Sequence, residues 1–258
     1  MNIFKKTLTV TVFALTIPVT AQAFETSGNM TLTTDYKFRG ISQSDTGPAV
    51  QGGFDVSFEN GIYIGTWGST VDFKLTGDAN PSMELDYYAG YGGSISEDIS
   101  YDVGAVYYDY PTASPTNFSS GAYDKDRDLD YSEIYGSLGY KDFTLGYAYS
   151  SDYWQETGKF NYIYADYSYA LPADFALDFH AGLNDFDNAS DDGNLNDSME
   201  AFLSDGEDSY TDYSITISKS FYGLDVALSF IDTDLDRKEC WGSDWCESSA
   251  VFSISKSM

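Results

Sequence analysis

The chain has 258 residues, with 41 acidic side chains against 13 basic ones and a net charge of −28. A polymer this acidic repels phosphate backbones, which excludes DNA and RNA as partners. Tyrosine (23), phenylalanine (17) and glycine (23) are heavily used, yet no apolar run reaches the ~20 residues of a membrane-spanning helix, so any crossing of a bilayer must be made by strands.

The first residues read as an export signal. Lys5 and Lys6 give a positive start, Leu8 to Val19 form a short apolar stretch, and Ala21-Gln22-Ala23 fits the small-residue cleavage rule, predicting Phe24 as the mature N-terminus. Removing residues 1–23 takes away two lysines and no acids, so the net charge moves from −28 to −30, with 11 basic residues against 41 acidic. Residues 24–258 suit one large all-β domain.

From there the pattern is period-two alternation in segments of roughly ten residues separated by turn residues. About twelve such segments occur. The first, near 29–39, sets Met30, Leu32, Tyr36 and Phe38 against Thr31, Thr33, Asp35, Lys37 and Arg39. The second, near 49–58, opposes Val50, Phe54, Val56 and Phe58 to Gln51, Asp55 and Ser57. The third, 62–73, carries apolar residues on both faces. Segments follow near 83–93, 99–109, 131–140, 143–151, 160–170, 174–184, 210–219, 222–232 and 248–257. Two are clean: Phe175, Leu177, Phe179, Ala181 and Leu183 oppose Asp178 and His180, and Tyr222, Leu224, Val226, Leu228 and Phe230 oppose Asp225, Ala227 and Ser229. Several apolar faces begin or end with an aromatic residue, as the interfacial girdles of a membrane barrel require.

The connections alternate in length. Tight turns are predicted at Glu59-Asn60-Gly61, Lys141-Asp142, Leu171-Pro172-Ala173 and Ser220-Phe221, and Asn-Gly is a strong hairpin signal. Long connections fall near 39–48, 74–82, 110–130, 152–159, 185–209 and 233–247. Short periplasmic turns and long external loops are the asymmetry of an antiparallel transmembrane β-barrel. A secreted β-sandwich would explain the alternation but not the regular sequence of short and long loops.

One stretch carries a family resemblance. It reads Thr34-Asp35-Tyr36-Lys37-Phe38-Arg39-Gly40-Ile41-Ser42-Gln43-Ser44, then Pro48-Ala49-Val50-Gln51-Gly52 and Gly61-Ile62-Tyr63-Ile64-Gly65-Thr66-Trp67-Gly68-Ser69. It is similar to the N-terminal signature of the TorF family of porins, a proteobacterial conserved-hypothetical family of the outer membrane. The resemblance implies an outer-membrane pore with no defined solute, inserted by the barrel-assembly machinery and surrounded by lipid and lipopolysaccharide. Such barrels usually finish on an aromatic residue that the assembly machinery reads. This chain departs from that pattern, ending Phe252-Ser253-Ile254-Ser255-Lys256-Ser257-Met258, which keeps the apolar parity without the ring.

The polar faces supply a candidate pore lining: Asp35, Asp55, Glu84, Asp86, Asp102, Glu133, Asp166, Asp178, Asp212 and Asp225, against Lys37, Arg39 and His180. Their acidic excess predicts passive diffusion of ions or small polar solutes, favouring cations or neutral molecules over anions. Barrels of about eight strands are filled by their own side chains and those of roughly 16–18 hold a wide channel, so twelve strands predict a narrow pore. Tyr88, Tyr135, Tyr162 and Tyr164 are candidates to narrow it further. Lys37 and Arg39 on the inner face of the first strand are candidates for a transverse field at a constriction, or else simply neutralise neighbours such as Asp55. A plugged barrel serving surface recognition through its acidic loops is the competing reading.

Two loops are rich in acids, Asp124 to Asp130 and Asp185 to Asp208. An EF-hand starting at Asp124 would need Gly at 129 and Glu at 135, where Leu129 and Tyr135 stand. A solvated external surface is the simpler reading, and no metal or cofactor is expected. Cys240 and Cys246 in an exported chain predict a disulfide holding Trp241 and Trp245 at the outer rim. His180 is the only histidine and no G-x-S-x-G elbow is present, so hydrolase chemistry is not expected.

Overall fold

The computed structural model describes residues 23–75, 79–113, 128–186 and 202–258. Residues 1–22, most of the export segment, lie outside the described residues, as do residues 124–127 and 187–201 of the two acidic runs.

Twelve antiparallel strands close into a barrel. They are β1 (Phe24–Thr33), β4 (Ala49–Phe58), β5 (Ile62–Thr70), β6 (Met83–Ser94), β7 (Ile99–Asp109), β8 (Tyr131–Tyr140), β9 (Phe143–Ser150), β10 (Phe160–Leu171), β11 (Phe175–Phe186), β12 (Ser209–Phe221), β13 (Leu224–Thr233) and β14 (Ser249–Ser257). A separate two-stranded hairpin, β2 (Lys37–Phe38) and β3 (Ile41–Ser42), lies between β1 and β4 in sequence. Each barrel strand pairs with its neighbour, and β1 closes the ring by pairing with both β4 and β14. Closure pairs every barrel strand on both sides, so the ladder groups along the ring find partners where no water could supply one.

Alternation sends one set of side chains outward. Leu32, Val50, Ile64, Val103, Ile134, Leu145, Ile163, Ile215 and Leu228 form an exposed apolar belt around the middle, with Ile134 61% and Leu138 58% exposed. Aromatic residues ring the short-turn end, including Phe24, Tyr91, Tyr101, Tyr140, Phe143, Phe175 and Phe221. Towards the other end, the hydroxyls of Tyr107, Tyr147 and Tyr213 donate to Asp130 (2.9 Å), Asn161 (2.7 Å) and Asp232 (2.9 Å). An apolar ring with a polar tip suits a membrane–water boundary. This belt is that of a transmembrane barrel.

Three local expectations are corrected. The first strand ends at Thr33 rather than 39, and residues 34–48 fold into the lumen instead of forming wall and external loop. Tyr36 and Phe38 are therefore not lipid-facing: Tyr36 packs on Trp67 and Phe38 on Tyr108, with ring centroids 5.4 Å and 5.8 Å apart. Period two marks a strand in the wall and a hairpin in the lumen equally well, so alternation alone cannot separate them. The last tight turn falls at Tyr222-Gly223, not Ser220-Phe221. Both residues have positive φ (51° and 75°), the conformation of a primed two-residue turn whose twist matches the flanking strands. The shift is two residues, so the facing of every later side chain is unchanged apart from Tyr222, which leaves the wall. Finally, the aromatic strand ends are not all girdle, because Phe160, Phe186, Tyr131 and Tyr210 point inward and are buried.

The lipid belt has a measurable consequence. The refolded protein should show heat-modifiable migration on a gel. Leu228→Arg should cost about 2–4 kcal/mol in a lipid-refolding titration, whereas Ser253→Arg, whose side chain has the opposite facing, should cost well under half of that. Equal costs for the two would refute the assigned facing.

Candidate functional site

An ion pair with β8 holds the inward hairpin across the barrel. Arg39 meets Glu133 of β8 through two hydrogen bonds, Nη1 to Oε1 at 2.7 Å and Nη2 to Oε2 at 2.8 Å. Its guanidinium also lies 4.6, 4.8 and 4.4 Å from the ring centroids of Phe38, Phe160 and Tyr162. A planar fork that binds a carboxylate edge-on and rings face-on is what arginine offers and lysine does not. The chain reverses at Arg39-Gly40, with φ of 47° and 82°. Gly40 is required there both for its conformation and because a Cβ would collide with Thr233 of β13. Tyr210 of β12 donates its hydroxyl to the Arg39 carbonyl at 2.8 Å.

The rest of the hairpin is satisfied partly by its own residues and partly by strand and loop residues that reach it. Asp35 accepts hydrogen bonds from Ser42 (2.6 Å) and Ser44 (3.1 Å), and Tyr36 donates to Glu84 Oε1 at 3.2 Å. Lys37 donates to the Trp245 carbonyl at 2.7 Å and lies 3.8 Å from Asp35. Burial lowers the Lys37 pKa, opposed chiefly by Asp35. Trp245 in turn donates its indole N–H to Asp45 at 2.9 Å. Cys240 and Cys246 are joined by a disulfide with a Cα–Cα distance of 6.1 Å, and both are buried. The loop it closes does not stop at the outer rim, since Trp245 reaches down onto the hairpin.

Beside the hairpin lies a lumenal cavity of about 510 Å³. Lys37, Arg39, Glu133 and His180 reach it together with Tyr88, Tyr135, Tyr162 and Tyr164. Several inward tyrosines stand over cross-strand glycines: Tyr88 over Gly65, Tyr135 over Gly104 and Tyr164 over Gly146. The missing Cβ is what lets each ring lie against the wall.

The remaining candidates occupy other heights of the lumen. Tyr88 donates to Asp55, so neither Lys37 nor Arg39 neutralises that residue. Tyr63 donates to Asp102 at 2.8 Å and touches Tyr135 at 2.7 Å. His180 sits between Asp166 (2.6 Å to Nδ1) and Asp212 (2.9 Å to Nε2), with the Tyr162 hydroxyl 2.8 Å away. Asp178 accepts from Ser168 at 2.6 Å and Asp225 from Ser220, both towards the short-turn end. Glu84 and Asp86 are buried beside the hairpin, and Glu84 Oε2 and Asp86 Oδ1 lack a hydrogen-bond donor among the described residues. The family-motif residues divide between two places. Asp35, Tyr36, Phe38, Arg39, Gly40, Ser42 and Gln43 build the hairpin, Pro48 leads out of it, and Tyr63, Gly65, Trp67 and Ser69 form the wall after the Gly61 turn.

Sequence reasoning missed the inward aromatics Phe160, Phe186, Tyr131 and Tyr210. Carrying strand parity to the first residue of three segments, and two residues past the end of 174–184, would have found them.

Removing one member of a buried pair leaves the other charged and unpartnered, at a cost of roughly 3–5 kcal/mol. Arg39→Ala should therefore expose the amides of residues 35–47 to hydrogen exchange, while Arg39→Met combined with Glu133→Leu should recover most of the protection. Full protection in Arg39→Ala would show that other contacts hold the hairpin.

The fold resembles solved porins. The NanC porin superposes with a TM-score of 0.50 at 13% identity, covering 90% of this chain and 98% of that one. The KdgM porin gives a TM-score of 0.50 at 7% identity, covering 90% and 97%. At such identities the likeness is one of architecture. No curated protein matches the sequence. A family model described as bacterial protein of unknown function (Gcw_chp) matches residues 19–258, nearly the whole chain, and the chain belongs to that family.

Proposed function

We propose that this protein is a porin-like channel of the outer membrane, exported by cleavage after Ala23, through which ions and small polar solutes diffuse passively. The observation that carries the reading is a closed twelve-strand barrel whose lumen holds a cavity reached by charged side chains and bounded, among the described residues, by one inward hairpin. Two porins of the same architecture and nearly the same extent support it, as does the similarity of residues 34–69 to TorF porins.

The hairpin sets the pore's width, and Arg39 facing Glu133 sets its field at that height. Acids outnumber bases at the inward positions above and below, so cations and neutral solutes pass in preference to anions. A second reading has one observation in its favour: at the hairpin the cross-section is packed, with Phe160 and Asn184 fully buried. A barrel closed there permanently would serve its long loops rather than transport.

Planar-bilayer recordings separate the two. The refolded protein should show small, cation-selective conductance steps, and Arg39→Ala should raise conductance several-fold while sharpening cation preference. Silence from both forms would remove the channel and leave surface recognition.

A further inference from the structure

On the long-loop side of the hairpin lies a second chamber, distinct from the cavity that Lys37, Arg39, Glu133 and His180 reach. It encloses about 310 Å³. Its walls are mostly rings: Phe73, Tyr110, Trp154, Phe202, Trp241 and Trp245. They meet edge to face or tilted, with Phe73 5.4 Å and Phe202 6.0 Å from Trp154, and Phe202 5.3 Å from Trp241. No charged side chain lines the chamber among the described residues, in a chain whose net charge is −28.

Several polar groups on these walls are engaged by the protein itself. The indole N–H of Trp241 donates to the Phe202 carbonyl at 3.0 Å and that of Trp245 to Asp45 at 2.9 Å. Thr157 Oγ1 donates to the Trp154 carbonyl at 3.0 Å, Gln43 Nε2 to Ile41 at 3.1 Å, and Ser42 Oγ to Asp35 at 2.6 Å. A polyhydroxylated solute entering here would find those groups already taken, and any hydroxyl left unpaired there is costly. Ten of the sixteen lining residues carry rings, and ring faces reward a flat, uncharged molecule. An apolar cavity of about 150 Å³ already holds benzene, so this one accommodates one or two rings.

We infer that the chamber is a binding site for small neutral aromatic molecules, held at the external mouth. The site does not depend on the channel reading, because binding there requires no passage through the lumen.

Three of the chain's four tryptophans line the chamber, and the fourth, Trp67, faces Tyr36 instead. Nitrobenzene is uncharged, flat and an efficient quencher of indole fluorescence, so it serves as the probe. In detergent-refolded full-length protein it should quench in a saturable manner, while maltose should leave the emission unchanged. Trp241→Ala should weaken binding at least fivefold by removing one wall. Thr157→Phe, which fills the chamber, should abolish the saturable component, and Trp67→Phe should leave the dissociation constant unaltered. Heat-modifiable migration verifies that each variant is folded. Quenching that rises linearly and equally in all forms would reflect the micelle and overturn the site. Saturation by maltose with none by nitrobenzene would overturn the assigned ligand class. Because no ion flow is read, a failure here is distinct from a failure of conductance.

Discussion

Everything in this molecule depends on the closure of β1 onto β14. In a hydrocarbon environment an unpaired backbone amide or carbonyl costs several kcal/mol, so a sheet that did not close could not be inserted. The register places Asn29 opposite Ser257 and Leu32 opposite Ile254, and the Gly28 and Met258 main chains exchange two further hydrogen bonds. Once the ring is shut, parity forces each strand to divide its side chains between lipid and lumen. The acidic composition and the apolar belt then coexist without conflict, because they face different media.

Closure also creates the interior that residues 34–48 fill. The hairpin could not hold its position in open solvent, where an exposed salt bridge contributes little. Inside the barrel Arg39 is buried among Phe38, Phe160 and Tyr162 and has Glu133 as its countercharge. Low dielectric strengthens the pair and makes its loss expensive, so one interaction organises the cross-section. The hairpin divides the lumen into a cavity reached by the charged groups of His180 and Glu133 and an aromatic chamber beneath the loops. The disulfide loop couples to the same element, since Trp245 contacts both Lys37 and Asp45.

Much of the wall was legible in the residues alone. The alternation of Phe175 to Leu183 and of Leu224 to Phe230 gives strand, facing and extent together, because a half-buried strand has no other periodicity available. Asn60-Gly61 marks its turn by the same directness. Tyr222-Gly223 was less visible, as the apolar run continues through Tyr222 and only the glycine signals the reversal. The inward acids were legible as a set, but their partners were not: nothing in spacing brings Arg39 to Glu133, 94 residues later, or His180 between Asp166 and Asp212.

The sequence by itself determined that strands alternate, that short and long connections alternate, and that the polar face is acidic, because these are local properties of period and composition. Only the tertiary structure decided that residues 34–48 leave the wall. A segment with apolar and polar residues in alternation satisfies lipid and lumen equally well, and the choice is made by which buried partners the closed barrel presents. Trp67, Tyr108 and Glu133 present them to this one.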